Sequence, residues 1–313
     1  MQQEPVVVAC AANAAYALPL TVMLRSAAEH IAPGALIDAW IIDDGIDARS
    51  RKRIEESAHS NTKIHWLPSK GNELSGLPLW GRMPATTYEK LSIAESLPDD
   101  ITRVIWLDCD VLVLADIAEL WNIPLDNFHL LAVTDTLIPT LGSRFGVTGW
   151  KELGLDKKSG YFNAGVMVVD TIKWRASNVA GASIDYLKRF RDGIYFWDQQ
   201  ALNAVLSGLW REIDARWNWS ATLDRLHNGK ELPASRIIHF NGTIKPWIVR
   251  EALDFDKEYF RVVDTTAWTE WRPQRTFARS ALGWYGSSRV RRVLYPAEQW
   301  GVQMLWHLTQ RPA

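Results

Sequence analysis

Short β-branched runs alternate with segments of helical spacing through most of the chain, and this alternation constrains the fold more than any other feature. Pro5 to Ala12, Ala35 to Ile42 and Lys63 to Leu67 are predicted strands, while Leu18 to His30 and Asp47 to Ser60 carry apolar residues at helical spacing. A helix between two strands returns the chain to the same end of the sheet, so the next strand runs parallel to the last. The pattern predicts an α/β fold with a largely parallel sheet.

The composition excludes several classes of protein. Of 313 residues, 47% are hydrophobic and 23% are charged, which is typical of a globular chain of one large or two smaller domains. The net charge of -1 provides no basic excess for phosphate, so we expect no nucleic-acid partner. The two cysteines, Cys10 and Cys109, lie in apolar surroundings without CxxC spacing. This predicts neither a disulfide framework nor a zinc site, and it favours a reducing compartment.

The N-terminal region lacks the features of a targeting segment. Pro5 to Leu24 carries no charge, but Glu4 precedes it without any Lys or Arg, and Asn13 and Pro19 interrupt it. A signal peptide needs a basic start, and a membrane helix needs a more apolar run. We therefore expect a cytoplasmic protein.

A pair of acids follows the predicted strand Thr102 to Leu107. Asp108 and Asp110 flank Cys109, and in an extended segment both carboxylates would point to one side while Cys109 points into the protein. Adjacent carboxylates repel each other unless they are neutralised, and a hard divalent cation with oxygen ligands does this. Open α/β sheets bind ligands at the carboxyl ends of their strands. A capped turn would give the same residues, but the apolar flanks favour a cation site.

Two further segments carry polar groups that could contact a ligand. Phe162 to Val169 is a predicted strand in which Asn163 precedes two small residues, so a bulky ligand could approach the backbone. Asp198 and Gln199 open a predicted helix, where an acid by itself is better explained as an N-cap. Neither segment identifies a function on its own.

A histidine and a lysine lie at the end of the last predicted strand, Arg236 to Phe240. A lone histidine such as His239 is more often a satisfied core residue than a ligand. Here Gly242 permits close approach to the backbone, and Lys245 offers a point charge suited to phosphate. Imidazole together with two carboxylates suits Mn²⁺ better than Mg²⁺ or Ca²⁺, which prefer oxygen ligands.

In this order, the motifs resemble those of glycosyltransferase family 8, a family of retaining sugar transferases. The similarity extends from about Val6 to about Trp247. The motifs that carry it are Leu107-Asp108-Cys109-Asp110-Val111-Leu112, Phe162-Asn163-Ala164-Gly165-Val166-Met167 and His239 through Lys245-Pro246-Trp247. The resemblance implies a GT-A fold, in which a Rossmann-like mixed sheet is flanked by helices. It implies a nucleotide-sugar half at about 1–115 that continues into an acceptor half at about 116–271.

The resemblance also implies the substrates and the chemistry. The expected donor is UDP-glucose or UDP-galactose, bound with Mn²⁺ or, as a second choice, Mg²⁺. The expected acceptor is a hydroxyl group of a sugar or glycan, as in the synthesis of bacterial lipopolysaccharide. Retention without an obvious covalent nucleophile fits a same-face displacement in which the leaving phosphate helps to deprotonate the acceptor.

The family's functional positions match individual residues of this sequence. Asp108, Asp110 and His239 match the metal ligands, and Lys245 with the backbone of Gly242 matches the groups that neutralise the departing UDP. The positions that contact the donor sugar near the reacting carbon match Asn163, Asp198, Gln199 and Asp135. On the nucleotide side, Tyr16 matches an aromatic residue that stacks on uracil, Asn13 could bond a base edge, and Lys90 matches a phosphate contact.

Two positions depart from the family pattern. Before Tyr16 the family usually has an acidic pair and Asn, whereas this chain has Asn13-Ala14-Ala15, which bears on selectivity for uridine more than on catalysis. Lys90 stands where the family commonly has Arg, so the charge is kept but the bidentate fork is lost.

Two other functions are compatible with parts of the sequence. A catalytically inactive nucleotide-sugar-binding protein is the main alternative, and the complete set of metal and leaving-group residues favours the enzyme over it. A nucleotidyltransferase can use the same pair of acids, but the second and third motifs disfavour it.

The segment 272–313 differs in composition from the rest. It carries seven arginines against one acidic residue, Glu298, and it includes Trp284, Trp300 and Trp306. A segment that binds a membrane surface needs positive charge to attract anionic headgroups and aromatic rings that lie at the headgroup boundary. A helix packed on the body with an arginine-rich outer face explains the composition equally well. Peripheral contact with the inner face of a membrane is therefore one of two alternatives for this basic C-terminal segment, which we expect to be helical.

Overall fold

The computed structural model describes residues 4–71, 73–80, 83–221, 234–242, 245–249, 255–274 and 276. Apart from 272–274 and 276, the predicted helical C-terminal segment lies outside these residues. The described residues form two sheets with helices packed against them, as the predicted α/β fold requires.

A seven-stranded mixed sheet forms the centre of the fold. Its strands are β1 (Val6–Ala12), β2 (Ile37–Asp43), β3 (Thr62–Pro68), β4 (Arg103–Leu107), β6 (Leu130–Thr134), β7 (Phe162–Asp170) and β8 (Trp210–Glu212). Their spatial order is β3-β2-β1-β4-β7-β6-β8. β1 pairs in parallel with β2 and β4, as the alternation predicts, whereas β7 runs antiparallel to both β4 and β6. The sheet is largely parallel and, as the family resemblance implies, mixed.

A smaller sheet of three strands lies beside the first. It contains β5 (Val111–Val113), β9 (Trp219–Ser220) and β10 (Ile237–His239), with β10 in the middle. The register places His239 opposite Val111 on β5 and Ser220 on β9. Because β4 ends at Leu107 and β5 begins at Val111, the three residues between them lead the chain from one sheet into the other.

Helices pack against the faces of the main sheet. Among the described residues, the α-helices are α1 (Ala17–His30), α2 (Ala48–Ser57), α3 (Ile93–Ser96), α4 (Ile117–Trp121), α5 (Thr171–Ala176), α6 (Val179–Arg189), α7 (Trp197–Val205) and α8 (Asp256–Val263). The apolar α1 is buried along most of its length and contacts β5, α2 and α8. The charged α2 is capped by Asp47, whose side chain accepts a hydrogen bond from the Ser50 N–H at 2.9 Å. No helix in the described part of the chain is both long and apolar enough to cross a membrane.

The main sheet separates two apolar clusters. On β4, Ile105 and Leu107 belong to one cluster, while Val104 and Trp106 belong to the other. This is the alternation that a strand buried on both faces requires. The strand that leads to the acidic pair is therefore held firmly from both sides.

A 3-10 helix, Ala85–Ser92, precedes α3 and contacts β1. Its consecutive residues 88–92 are all buried, and Thr86 is buried as well. After Ala85 its sequence continues with two threonines and a tyrosine, which are weak α-helix formers. Among the polar side chains it buries is that of Lys90, which reaches a carboxylate just beyond the end of β4.

Candidate active site

Strand β7 is irregular where it faces the end of β6. Ala132 pairs with Met167, but the next residue of β6, Val133, pairs with Asn163, so β7 bulges between these two pairs. The bulge includes Gly165, whose carbonyl accepts a hydrogen bond from the Asp108 N–H at 2.8 Å. Bulges commonly redirect side chains next to active sites. Here the bulge ties the middle of β7 to the acidic pair.

The acidic pair lies in a turn and not, as predicted, in an extended segment. The turn joins the two sheets, and at its second end the Phe240 N–H donates to the Asp110 carbonyl at 2.9 Å. Cys109 is buried, as predicted, and its thiol donates to the Ala11 carbonyl at 3.2 Å. The two carboxylates do lie close together, as predicted. The turn brings them together, and not the alternation of side chains along an extended segment.

Asp108, Asp110 and His239 meet at the junction between the two sheets. One ligand atom from each residue lies within 4.8 Å of the other two. His239 Nε2 is 3.3 Å from Asp110 Oδ1, and Lys245 Nζ is 2.5 Å from Asp110 Oδ2. Burial would raise the pKa of Asp110, but the charge of Lys245 and the contacts with the Lys245 ammonium group and the His239 ring hold that pKa well below its usual range. Two carboxylates and one imidazole are a donor set that suits a divalent cation such as Mn²⁺.

Lys90 is buried next to this cluster. Its Nζ lies 2.9 Å from Asp108 Oδ1, 3.0 Å from Asp198 Oδ2 and 3.1 Å from the Ala164 carbonyl oxygen. Burial would lower the pKa of Lys90, but the two carboxylates raise it above its ordinary value. The N-cap explanation of Asp198 is wrong, because its carboxylate lies inside the first turn of α7 and accepts a hydrogen bond from the Thr87 hydroxyl at 2.5 Å. Lys90 and Asp198 therefore form a buried ion pair behind Asp108.

Three of the residues matched to sugar-contacting positions form a second polar group. Asn163 Nδ2 and Gln199 Nε2 both donate to Asp135 Oδ2, at 2.9 Å and 3.1 Å. The Gly165 N–H donates to Asn163 Oδ1, and the Ala164 N–H donates to Gln199 Oε1, each at 3.0 Å. Because a backbone N–H can only donate, it fixes which end of each amide is the oxygen. Both amides therefore present their nitrogens to Asp135.

The residues matched to the nucleotide lie near the end of β1. The ring of Tyr16 is edge-on to that of Trp247, with 6.0 Å between the ring centroids. Burial, and after it the charge of Asp110, raises the pKa of Tyr16 above its ordinary value. Asn13 caps the turn that leads to Tyr16 and donates to the Thr86 hydroxyl at 3.3 Å. Part of the Asn13 amide is thus committed to local structure.

The segment after β10 carries the two residues matched to the leaving group. Gly242 is exposed and has a φ of 111°, which lies in the region that favours glycine. Lys245 Nζ donates to the Phe240 carbonyl at 2.7 Å in addition to its contact with Asp110. The Phe240 carbonyl therefore helps to hold the Lys245 ammonium group against the cluster.

A buried asparagine that was not predicted connects the proposed metal ligands with the second polar group. Asn218 ends the 3-10 helix Ala215–Asn218, and its Nδ2 donates to Asn163 Oδ1 at 2.9 Å. Its Oδ1 lies 2.9 Å from His239 Nδ1. No local pattern marks this residue as part of the site, because its position depends on the pairing of the short strands β9 and β10.

A second unpredicted polar residue, Asp44, follows the end of β2. Its carboxylate accepts a hydrogen bond from the Thr86 hydroxyl, and its N–H donates to the Ala12 carbonyl at 2.9 Å. Asp44 could have been found, because it is an acid just after a buried strand, as Asp108 is.

Comparison with known sequences identifies relatives over most of the chain. The family model described as Glycosyl transferase family 8 matches residues 7–250, a range that includes every predicted site residue. General stress protein A of Bacillus subtilis is 29% identical over 247 residues, which cover 74% of this chain and 84% of that protein. A putative glycosyltransferase of Haemophilus influenzae is 28% identical over 217 residues, which cover 67% of this chain and 64% of that protein.

Solved structures share the fold. The galactosyltransferase LgtC, in complex with donor and acceptor sugar analogs, superposes with a TM-score of 0.74 at 23% identity, covering 84% of this chain and 96% of LgtC. The apo structure of the bifunctional glycosyltransferase WbbM gives a TM-score of 0.70 at 20% identity, covering 85% of this chain and 51% of WbbM. These similarities confirm the predicted GT-A fold.

Proposed function

The chain belongs to glycosyltransferase family 8, and from that premise we propose that it is a retaining hexosyltransferase. The proposed reaction moves glucose or galactose from a UDP-sugar to a hydroxyl group of a sugar or glycan acceptor, with Mn²⁺ as the metal. The observation that carries the proposal is the meeting of Asp108, Asp110, His239 and Lys245 at the junction of the two sheets. A protein that only binds a nucleotide sugar has little use for a complete set of metal and leaving-group residues.

We assign the metal to Asp108, Asp110 and His239. The donor set fits a divalent cation, because two hard carboxylate oxygens lie beside an imidazole whose Nε2 faces them, 3.3 Å from Asp110 Oδ1. The imidazole nitrogen favours Mn²⁺ over Mg²⁺. A divalent cation at this position supplies Lewis-acid stabilisation of a diphosphate.

Lys245 and Gly242 are assigned to the departing UDP. Negative charge develops on the phosphate as the bond to the sugar breaks, and a positioned ammonium group stabilises that charge. Lys245 Nζ lies 2.5 Å from Asp110 Oδ2, so it lies at the edge of the proposed metal site. The exposed backbone of Gly242 lets a phosphate oxygen approach closely.

Asp135, Asn163 and Gln199 are assigned to the donor sugar near the reacting carbon, with Asp198 behind them. In the proposed same-face displacement, the bond from the sugar carbon to the phosphate oxygen breaks and its electron pair leaves with UDP. The acceptor hydroxyl forms the new bond on the same face and gives its proton to a leaving phosphate oxygen. Gln199 suits a position near the reacting carbon because both ends of its side-chain amide are held in place. Its nitrogen donates to Asp135, and its oxygen accepts from the Ala164 N–H.

For Lys90 we propose a positioning role in place of the phosphate contact expected from the family. Its ammonium group has three N–H donors and lies within 3.1 Å of acceptors on Asp108, Asp198 and Ala164. Tyr16 and Asn13 keep their proposed contacts with the uracil base.

A direct test measures UDP release with UDP-glucose or UDP-galactose, Mn²⁺ and a panel of sugar acceptors. We expect acceptor-dependent release by the unaltered protein and its loss in Asp110→Ala, because that variant lacks one metal ligand. Asp99→Asn is the control, since its side chain is fully exposed. Retained transfer in Asp110→Ala would refute the metal assignment.

The same assay separates the enzyme from an inactive binding protein. An inactive binder would show thermal stabilisation by the UDP-sugar and Mn²⁺ without any release of UDP. Oligosaccharides of bacterial surface glycans, including lipopolysaccharide cores, are the first acceptors to test, because we propose a bacterial glycan as the acceptor.

A further inference from the structure

The hydrogen bonds around Asn218 have only one consistent direction. The Gly165 N–H can only donate, so the atom of Asn163 that faces it at 3.0 Å is the oxygen. The amide atom of Asn218 that lies 2.9 Å from this oxygen must then be its nitrogen. The remaining atom of Asn218, its Oδ1, can only accept, and it lies 2.9 Å from His239 Nδ1. The hydrogen of this contact is therefore carried by His239 Nδ1.

The hydrogen bonds between Asn163 and Asp135 agree with this direction. Asn163 Nδ2 donates to Asp135 Oδ2 at 2.9 Å. The second oxygen of Asp135 accepts from the backbone N–H groups of Leu137 and Ile138 at 2.9 Å and 3.0 Å. Asp135 thus acts as an acceptor throughout, which again assigns the nitrogen of Asn163 to its side. The orientation of Asn163, from which that of Asn218 follows, is therefore supported from two sides.

We propose that Asn218 is a positioning residue that keeps the ring hydrogen of His239 on Nδ1. It also joins the metal ligand His239 to Asn163, one of the residues assigned to the donor sugar. With Nδ1 donating to Asn218, Nε2 is the nitrogen that faces Asp110, at 3.3 Å. A metal-binding histidine needs its other ring nitrogen held by such a partner, which fixes the ring orientation and the free lone pair. Both Asn218 and His239 are buried, which leaves water little access to replace the contact.

The proposal rests on the proposed function only where it refers to the metal and the donor sugar. A residue that only packed at position 218 would not determine which ring nitrogen of His239 carries hydrogen, so this measurement separates a positioning role from a packing role. Asn218→Leu keeps the approximate volume but removes both hydrogen bonds. Asn218→Asp keeps the acceptor toward His239 and loses the donor toward Asn163.

The experiment measures two properties of the full chain without a sugar substrate. Long-range ¹H–¹⁵N spectra of protein labelled with ¹⁵N-histidine, assigned with His239→Gln, report which ring nitrogen carries hydrogen. Calorimetric titration reports the affinity for Mn²⁺. We expect hydrogen on Nδ1 in the unaltered protein and in Asn218→Asp, and a shift to Nε2 in Asn218→Leu. The Leu variant should also bind Mn²⁺ about 10–100-fold more weakly.

Ser220→Ala is the matched control, because Ser220 is a buried polar residue paired with His239 in the sheet but bonds Asn241 instead. It should leave both readouts unchanged. An Asn218→Leu protein with hydrogen still on Nδ1 and unaltered Mn²⁺ affinity would overturn the proposal. If that variant does not fold, loss of the Nδ1 hydrogen in Asn218→Asp would overturn it instead. A failure of the proposed function would show separately, as absence of UDP release by the unaltered protein, and would leave the ring-nitrogen test valid.

Discussion

The ammonium group of Lys90 is enclosed by two carboxylates and a backbone carbonyl, and only 4% of the residue is exposed. Transferring a charge from water to such a place is costly unless it is paired and hydrogen-bonded. Asp108 and Asp198 supply that pairing, and in return Lys90 keeps two neighbouring acids from repelling each other. A residue that the family resemblance associates with phosphate is thus assigned instead to the framework of the site.

Lys90→Met keeps the length of the side chain and removes its charge. Because Asp108 and the buried Asp198 would lose their shared cation, we expect the free energy of unfolding to fall by about 3–5 kcal/mol, measured by urea denaturation without divalent cations. Lys52→Met is the control, since Lys52 is 75% exposed and its contact with Glu56 is 3.7 Å long. We expect the control to change stability by at most about 0.5 kcal/mol. Equal losses in both variants would contradict the buried pairing.

Individual site residues could be predicted from the sequence where they lie in recognisable motifs. Asp108, Asp110 and His239 were predicted from the chemistry of their side chains and from family motifs, and they do come together. The role of Asp198 was not predicted from local pattern, because an acid at a helix start has the same local sequence whether it caps the helix or binds a lysine. Asn218 was missed because its two partners come from distant strands, and only the tertiary pairing brings them within hydrogen-bond distance.

Strand β7 passes so close to β10 that one of its residues cannot carry a side chain. A Cβ atom on Gly165 would lie 2.3 Å from His239 Cε1 and 2.8 Å from His239 Nδ1. Gly165→Ala must therefore push His239 away from its position between Asn218 and Asp110. We expect the free energy of unfolding to fall by about 1–3 kcal/mol in urea denaturation, as for other overpacked cores. Calorimetric titration should also show weaker Mn²⁺ binding.

Gly71→Ala is the control for this substitution. A Cβ atom there would meet only the Ser69 hydroxyl oxygen, at 3.3 Å. We expect both its stability and its Mn²⁺ affinity to remain close to those of the unaltered protein. A Gly165→Ala protein that behaves in the same way would show that β7 and β10 can separate without cost.

The 3-10 helix Ala85–Ser92 buries one acid, Glu89. Burial raises the pKa of Glu89 above its ordinary value, although hydrogen bonds from the Ser69 hydroxyl and the Lys70 N–H partly oppose the shift. The native state therefore holds a proton at pH values where the unfolded chain has lost it. The contribution of Glu89 to stability is consequently largest at low pH, and it falls as the pH rises from the ordinary value through the raised one.

Glu89→Gln should remove this fall in stability. The amide can still accept from the Lys70 N–H and can donate to the Ser69 hydroxyl oxygen, so the contacts are kept without the charge. We expect the urea midpoint of the variant to decline less than that of the unaltered protein between about pH 4 and pH 7. Glu56→Gln, at a side chain that is 53% exposed, should leave the pH dependence unchanged. A parallel pH profile in Glu89→Gln would contradict the assignment to Glu89.

Long periodic elements were predictable, and short ones were not. Strands β1, β2 and β3 and helices α1 and α2 lie where the sequence predicts them, to within a few residues. Strands β5 and β9 contain three and two residues, too few for a period to be visible in the sequence. Their extended conformation comes from pairing with β10, which lies far from β5 in the chain and is not adjacent to β9.

For the whole molecule, the site lies where the two sheets meet. The alternation of strands and helices predicts the main sheet, and the resemblance to the family implies its mixed character. The second sheet combines residues 111–113, 219–220 and 237–239, and no local pattern predicts that these segments pair. The proposed division into halves near residue 115 stays a prediction, although β4 and β7 from the two halves pair directly in one sheet.

The basic C-terminal segment is the remaining prediction about the whole molecule. Apart from 272–274 and 276 it lies outside the described residues, so the prediction rests on its seven arginines, its single acid and its tryptophans. Of its two alternatives, membrane contact predicts that the full chain floats with vesicles that contain anionic phosphatidylglycerol and not with neutral phosphatidylcholine vesicles, whereas a helix packed on the body predicts no flotation. Raised salt should weaken this binding, because charge attracts the segment to the surface.

A chain that ends at Pro273 provides the decisive comparison. It keeps Arg272, which pairs with Asp264 at 2.6 Å and lies over the ring of Phe260, so these contacts of the described body are preserved. We expect this shorter chain to lose vesicle binding and to keep UDP release with a soluble acceptor. A full-length variant with Trp284, Trp300 and Trp306 changed to Ser tests whether the rings contribute beyond the charge. If the shortened chain floats as well as the full one, the segment does not hold the membrane and the packed-helix alternative is favoured.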